Sequence, residues 1–466
     1  MQSMTTSPRA TSSIGLAITV LAMALAGCDS CNDKPKGPSE AGASSSSASS
    51  AGDAAPPAST PSGVMAAPGC RARTTGGAAL AGKLEPGNIT IAVVSGKALV
   101  VNTVFKDPRK LDSTDPDAAI ETAKSERVVL AANGLPDGPF EPVIEPHGAD
   151  EGTATPLTWA VATTFKNELS TMSYGTGRSG TTCAGGTLMT KGAGSPLYLL
   201  PDKHCRFASA LAGAGRGDLA VALLDGPAQF PIPAPADGGP STVKTWPAIA
   251  EAVVWSGGKA TTIALDSESH PGQIARIEAP AVAVGKSHVA VAYRVVRPGN
   301  RELHVTILDP SGKKVGKTEV IEKGDVGAPT IAFEDDALHV VWASRSADKE
   351  AYALRWTKLT GSGAVPPPQR LSTGIGSAFA PGLAIDETGR FLIAWMEGDD
   401  KRGVVKVGLS RRGIAAAVAH AAPISNPTAN ARDPEVGLDK TTQFVVWQEY
   451  TATTQELRAA SLECRD

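Results

Sequence analysis

Four stretches of this chain read in register. They are Pro280-Ala-Val-Ala-Val284 with Val289-Ala-Val-Ala-Tyr293, Pro329-Thr-Ile-Ala-Phe333 with Leu338-His-Val-Val-Trp342, Pro381-Gly-Leu-Ala-Ile385 with Phe391-Leu-Ile-Ala-Trp395, and Pro434-Glu-Val-Gly-Leu438 with Phe444-Val-Val-Trp447. Each unit is a proline, a short apolar strand, a polar or Gly-containing turn, and a second apolar strand ending in Trp or Tyr. The prolines lie 49, 52 and 53 residues apart. A period near 50 with several strands per unit is the signature of propeller blades. The apolar runs are continuous rather than alternating, as expected for strands covered on both faces by neighbouring blades. Asp309-Pro-Ser-Gly312 and Asp386-Glu-Thr-Gly389 place Gly where a hairpin loop wants a left-handed residue.

Outward from this core the signal loosens but continues. Ile89–Val94 and Ala98–Val104 form a hairpin that opens a first blade, continued by 127–132 and 142–145. Leu157–Thr163 opens a second. Phe207 to Leu224 opens a third, with Ala252–Trp255 and Thr261–Leu265 as its outer strands after the Pro-rich insertion 227–240. A short helix fits 115–124. The fold class is therefore all-β, a propeller over 70–466 with seven four-stranded blades, or six if the units before Phe207 merge. Gly 49 and Pro 35 suit many turns, and 5% aromatic content means mostly aliphatic packing.

The N-terminus is an address. Arg9 precedes the apolar run Ile14–Gly27, which at 14 residues is too short to span a bilayer as a helix. Residues 1–27 are read as a signal peptide. Residues 28–69 are dominated by Ser, Ala, Gly and Pro and cannot bury enough apolar area to offset ordering entropy, so they are expected to be a disordered tether. About 40 flexible residues have an r.m.s. reach of roughly 35 Å. The box Leu25-Ala26-Gly27-Cys28 resembles the lipobox of bacterial lipoproteins. The resemblance implies cleavage before Cys28, a lipid on its sulfur, and a membrane partner held through that anchor. Asp29 resembles the inner-membrane retention signal of some enteric bacteria, a rule other lineages need not follow, so the choice of membrane stays open. The blade repeats resemble those of TolB-type extracytoplasmic propellers, which implies a fold and no particular activity.

Six cysteines in an exported chain invite pairing. Cys183 and Cys205 are 22 positions apart and are read as a disulfide, with two free thiols as the alternative. The last repeat holds three strands and then the chain stops. An open edge would invite aggregation, so the segment 71–75, or the strands just after it, is expected to supply the fourth strand. Cys70 and Cys464 flank that junction and are expected to bridge it, with Cys31 free; a Cys31–Cys70 pair is the competing connectivity.

Candidate chemistry is thin. Gly175-Thr-Gly-Arg-Ser-Gly180 satisfies GxGxxG but lacks the strand-before, helix-after setting of a dinucleotide site, so it is read as a Gly-rich loop and no cofactor is expected. No GxSxG elbow or HExxH motif occurs, and catalytic residues stay unassigned. The histidines (147, 204, 270, 288, 304, 339 and 420) are scattered, and no metal site is expected. Glu334-Asp-Asp336 and Glu397-Gly-Asp-Asp400 read as solvated hairpin tips, and Trp255, Trp342, Trp356, Trp395 and Trp447 as blade packing rather than a carbohydrate platform. Net charge is −3 and basic residues do not cluster with aromatics, so a nucleic-acid partner is not expected. The reading is a lipid-anchored envelope scaffold with a protein or glycan partner. The competing class is a hydrolase or lyase working on polysaccharide or peptide in the axial funnel.

Overall fold

The computed structural model describes residues 69–74, 77–82, 87–105, 123–143, 157–179, 182–191, 195–202, 211–224, 227–231, 243–268, 276–297, 299–346, 350–361, 365–372, 376–399 and 401–465. Among these residues seven antiparallel sheets form, and the chain is an all-β propeller. Blades 1 to 7 are taken in chain order from Asn88. Their innermost strands are Asn88–Val94, Leu157–Phe165, Leu211–Arg216, Arg276–Val284, Thr330–Glu334, Ser377–Ile385 and Asn430–Leu438. Each packs on the innermost strand of the next blade, and the last packs on the first.

The apolar runs explain this arrangement. Seven buried clusters occur, one at each joint between successive blades, so every blade uses both faces. The second strands supply the large side chains: Tyr293, Trp342, Trp395 and Trp447 are buried at equivalent places, while blade 3 carries Trp255 one strand further out, in Val243–Ser256. Polar bridges tie the joints as well. Ala162 N–H donates to Thr90 Oγ1 (2.8 Å), Lys314 Nζ to the Leu265 carbonyl (3.1 Å), Arg294 Nη1 to the Val326 carbonyl (2.9 Å) and Gly96 N–H to Asp439 Oδ2 (2.7 Å).

The N-terminal strands complete blade 7. Gly69–Ala72 and Ala78–Leu80 both pair with the last strand, Gln455–Arg465. A Cys70–Cys464 disulfide joins partners that already face each other in the register. The expectation is the segment 71–75 or the strands just after it; the closure is made by two short strands, Gly69–Ala72, which includes the start of that segment, and Ala78–Leu80 just after it. Of the expected helix 115–124, residues 115–122 lie outside the described residues and Ala123 and Lys124 belong to the strand Ala123–Leu130 instead; residues 1–68 also lie outside. No helix among the described residues is long and apolar enough to cross a membrane.

The Gly-rich stretch is a correction. Gly175–Ser179 is not a loop but the end of the strand Glu168–Ser179, paired with Thr182–Lys191 through Gly175↔Gly186 and Arg178↔Cys183. Glycines on both partners let two backbones run side by side without help from side-chain packing.

Candidate functional site

The axis is a channel of about 1030 Å³ lined by all seven innermost strands. Consecutive residues of each strand line it, so backbone edges form much of the wall, while Ile91, Val282, Ile331 and Val436 line it and also pack into the clusters at the blade joints. Ligand pockets run to roughly 300–1,000 Å³ and combine apolar walls with a few placed polar groups.

One end of the wall is built by a repeated device. In blades 4, 6 and 7 the inner strand bulges at an X-Pro pair, where the register slips between Glu278 and Ala281, Phe379 and Gly382, and Arg432 and Glu435. In blade 5 the strand is interrupted at the same place, between Asp325–Val326 and Thr330–Glu334. Proline has no N–H to give the ladder, and the residue before it is left-handed in three cases: Ala279, Ala380 and Asp433, with φ of 54°, 45° and 47°. The triads are Ala279-Pro-Ala281, Ala328-Pro-Thr330, Ala380-Pro-Gly382 and Asp433-Pro-Glu435. The fold is satisfied by small residues here. At Gly382 a Cβ would come within 2.9 Å of the Pro434 carbonyl.

Blade 7 breaks the pattern with two carboxyls. Asp433 and Glu435 both line the channel, and neither accepts a hydrogen bond from a described residue. Burial raises both pKa values. Arg432 opposes the rise at Asp433, whereas the neighbouring charge of Asp433 adds to it at Glu435, which is pushed up to about 8. Channel water reaches both side chains, Asp433 more than Glu435, and limits the effect.

The other acids of the channel are committed. Asp386 accepts from the amides of Thr388 and Arg390 (2.9 and 3.0 Å) and pairs with the Arg390 guanidinium (2.7 Å). Asp439 accepts from the amides of Gly96, Thr441 and Thr442. Burial would raise both, but these donors outweigh it and hold them below the usual carboxylate range. Glu387 is paired with Lys440 at 2.6 Å. Asp433 and Glu435 are thus the channel carboxyls left to act on something else.

The residues singled out from sequence are dispersed. Cys28, Cys31, Cys205, His147, His204, His270 and Asp400 lie outside the described residues; Cys183 is placed by its backbone alone. His288 sits 3.6 Å from Asp336, His304 3.0 Å from Glu302, and His339 3.2 Å from Glu334, each within or between outer parts of blades. Burial holds His339 down at about 4, against the pull of Glu334. No group of three metal-ligating side chains is assembled among the described residues. Asp335, Asp336 and Asp399 are exposed at hairpin tips as read, whereas Glu334 and Glu397 are part-buried. Glu334 pairs with His339 and Lys358, Asp335 with Lys286, and Glu397 with Lys406. The Asp433/Glu435 pair was missed, although lining up the four X-Pro triads would have exposed it. A second missed signal is Trp-x-Glu: Trp395 and Trp447 each donate Nε1–H to the Glu two residues on, at 3.3 Å.

No family model and no curated protein matches the chain. Among solved structures it is similar to a PL25 ulvan lyase bound to -[GlcA(1-4)Rha3S]-, with 11% identity, TM-score 0.48, and coverage of 83% of this chain and 95% of that one. It is also similar to the Trypanosoma rangeli sialidase in complex with DANA, with 10% identity, TM-score 0.38, and 84% and 58% coverage. A GH43_1 enzyme from Xanthomonas citri follows at 12% identity, TM-score 0.32, and 58% and 90% coverage.

Proposed function

We propose that the chain is a binding or assembly scaffold at the cell envelope, held to a membrane through a lipid on Cys28. The observation that carries this reading is the channel itself: a cavity of about 1030 Å³ along the axis of a closed ring, with most of its acids tied into the wall and two left without such partners. Such a wall offers area and a few directional contacts, which suits holding a partner. The Leu25-Ala26-Gly27-Cys28 box supports the address, and the Ser/Ala-rich stretch after it would present the ring away from headgroups. Photo-crosslinking from Asp433, which is exposed at the channel, in intact envelopes tests it. A discrete adduct with one protein or glycan, lost in Cys28→Ser with the protein released from membranes, is the expected result. Absence of any adduct, or adducts unchanged by Cys28→Ser, overturns it.

A second reading is favoured by Asp433 and Glu435 specifically. A carboxyl kept protonated near neutral pH can donate a proton to a leaving oxygen or nitrogen, and a neighbouring carboxylate can accept one. The chain would then be a hydrolase or lyase of polysaccharide or peptide, with Glu435 as acid and Asp433 as its charged partner. Screening reducing-end or amine release over panels of both substrate classes, with Glu435→Gln as control, decides it. Turnover that falls at least about a hundredfold in the variant is expected on this reading; equal turnover in both proteins removes it.

A further inference from the structure

The ring is closed by two short strands, and their hold on blade 7 is slight apart from one covalent bond. Gly69–Ala72 pairs from Gly69↔Arg465 to Ala72↔Leu462, and Ala78–Leu80 pairs with Ala459–Leu457. Between them Arg73 N–H donates to the Ser461 carbonyl (2.9 Å), and Arg458 Nη1 donates to the Gly77 carbonyl (3.3 Å). The side chains that these strands bury are Cys70 and Leu80. The Arg71–Glu463 ion pair is exposed at both ends and adds little. The Cys70–Cys464 disulfide is what makes this closure permanent.

We infer that, once this disulfide is reduced, the strands Gly69–Ala72 and Ala78–Leu80 leave the edge of the last strand and are replaced by the same two strands of a second copy, giving a reciprocal strand-exchanged dimer. The vacated edge is a long one, Leu457 to Arg465, and an unpaired edge of that length recruits a strand. Its shape selects the occupant. A Cβ at position 77 would meet Trp447 Cη2 at 2.4 Å, and Gly77 is left-handed at φ +69°, so the incoming strand needs Gly there. Three residues further on it needs an apolar side chain to enter the cluster of Ile89, Val128 and Phe444 where Leu80 sits. The same segment of another copy meets both conditions in the same register. Residues 81–87 join it to blade 1, and seven residues reach at most about 25 Å. Exchange of identical elements about a twofold leaves no new edge open, which makes it a low-cost route to dimers.

The chemistry is thiol–disulfide exchange. Dithiothreitol attacks one sulfur, closes its own ring on the mixed disulfide, and leaves Cys70 and Cys464 as thiols. Oxidised glutathione later takes two electrons and two protons to reform the bridge. The test mixes full-length chain at natural abundance with ¹⁵N-labelled chain, reduces, incubates at high concentration, reoxidises and maps the Cys70–Cys464 peptide. A mixed-isotope bridge peptide is expected in a dimer fraction, and none when the same proteins are mixed without reductant. Bridges of one isotope only, after a reduction shown to be complete, overturn the inference. Should reduction disturb the rest of the chain, the Cys70→Ser/Cys464→Ser variant decides without reductant. A concentration-dependent dimer that Gly77→Leu abolishes supports exchange; a monomer at every concentration overturns it.

Discussion

Blades 6 and 7 are made to one template and differ where it matters. Each begins at an X-Pro bulge, turns on an Asp that caps its own hairpin, and buries a Trp on its second strand that donates to a Glu two residues on. Blade 6 then finishes with its own Ala422–Pro423, whereas blade 7 borrows its outermost strands from the N-terminus under a disulfide. On the channel side blade 6 has Ala380-Pro-Gly382 and blade 7 has Asp433-Pro-Glu435. The packing plan is indifferent to how a blade is closed and to what it shows the axis. The acids therefore stand on a scaffold that does not need them.

The largest effect should fall on the shared template. Trp395→Ala and Trp447→Ala should each lower stability by about 3–5 kcal/mol, because both rings are buried and leave cavities. Trp447→Ala should in addition speed hydrogen exchange at 77–80, since Gly77 packs against that ring. Equal exchange in the two variants would mean that closure does not depend on blade 7 packing.

Next comes the device that blade 6 lacks. Cys70→Ser should cost about 2–4 kcal/mol, measured by denaturant unfolding against wild type. A change within experimental error would show that the short closing strands hold by themselves.

The acid pair should act in the opposite sense. Glu435 binds its proton more tightly folded, to about 8, than unfolded, at 4.5. Below pH 4.5 both states are protonated and the group is neutral in its effect. As pH rises from 4.5 to 8 the unfolded state ionises first, so wild type loses stability across that window and then levels off. Channel water reduces the loss to about 1–3 kcal/mol. Glu435→Gln should flatten the curve over the same window and be the more stable protein at pH 8. Parallel pH profiles for the two proteins would remove the claim.

The smallest effect is at the exposed seam between the blades. Lys440→Ala removes the pair with Glu387, both ends about half exposed, and should change stability by under about 0.5 kcal/mol. A larger loss would mean that the channel mouth is held by charge rather than by packing.

The sequence by itself determined the blade period, the hairpins, the burial of the tryptophans and the need for a closing strand beside Cys70. Each of these is carried by short-range pattern: apolar runs, turn residues at fixed offsets, and a cysteine placed beside a strand signal. Tertiary structure alone decided the site. Asp433 and Glu435 are two apart on one strand, and lining up the X-Pro triads marks them as the departure of blade 7, but neither alternation nor alignment says that the place they share is the axis. A bulge at Pro434 resets the two-residue alternation there, and only the closed ring makes the place where it happens a channel wall. The same holds for Gly175–Ser179, whose strand is dictated by its partner Thr182–Lys191 rather than by its own residues, and for His339, whose neutral state comes from being packed between two blades. Local rules fix what a segment can be. Which side chains meet, and in what dielectric, depends on contacts between segments hundreds of residues apart.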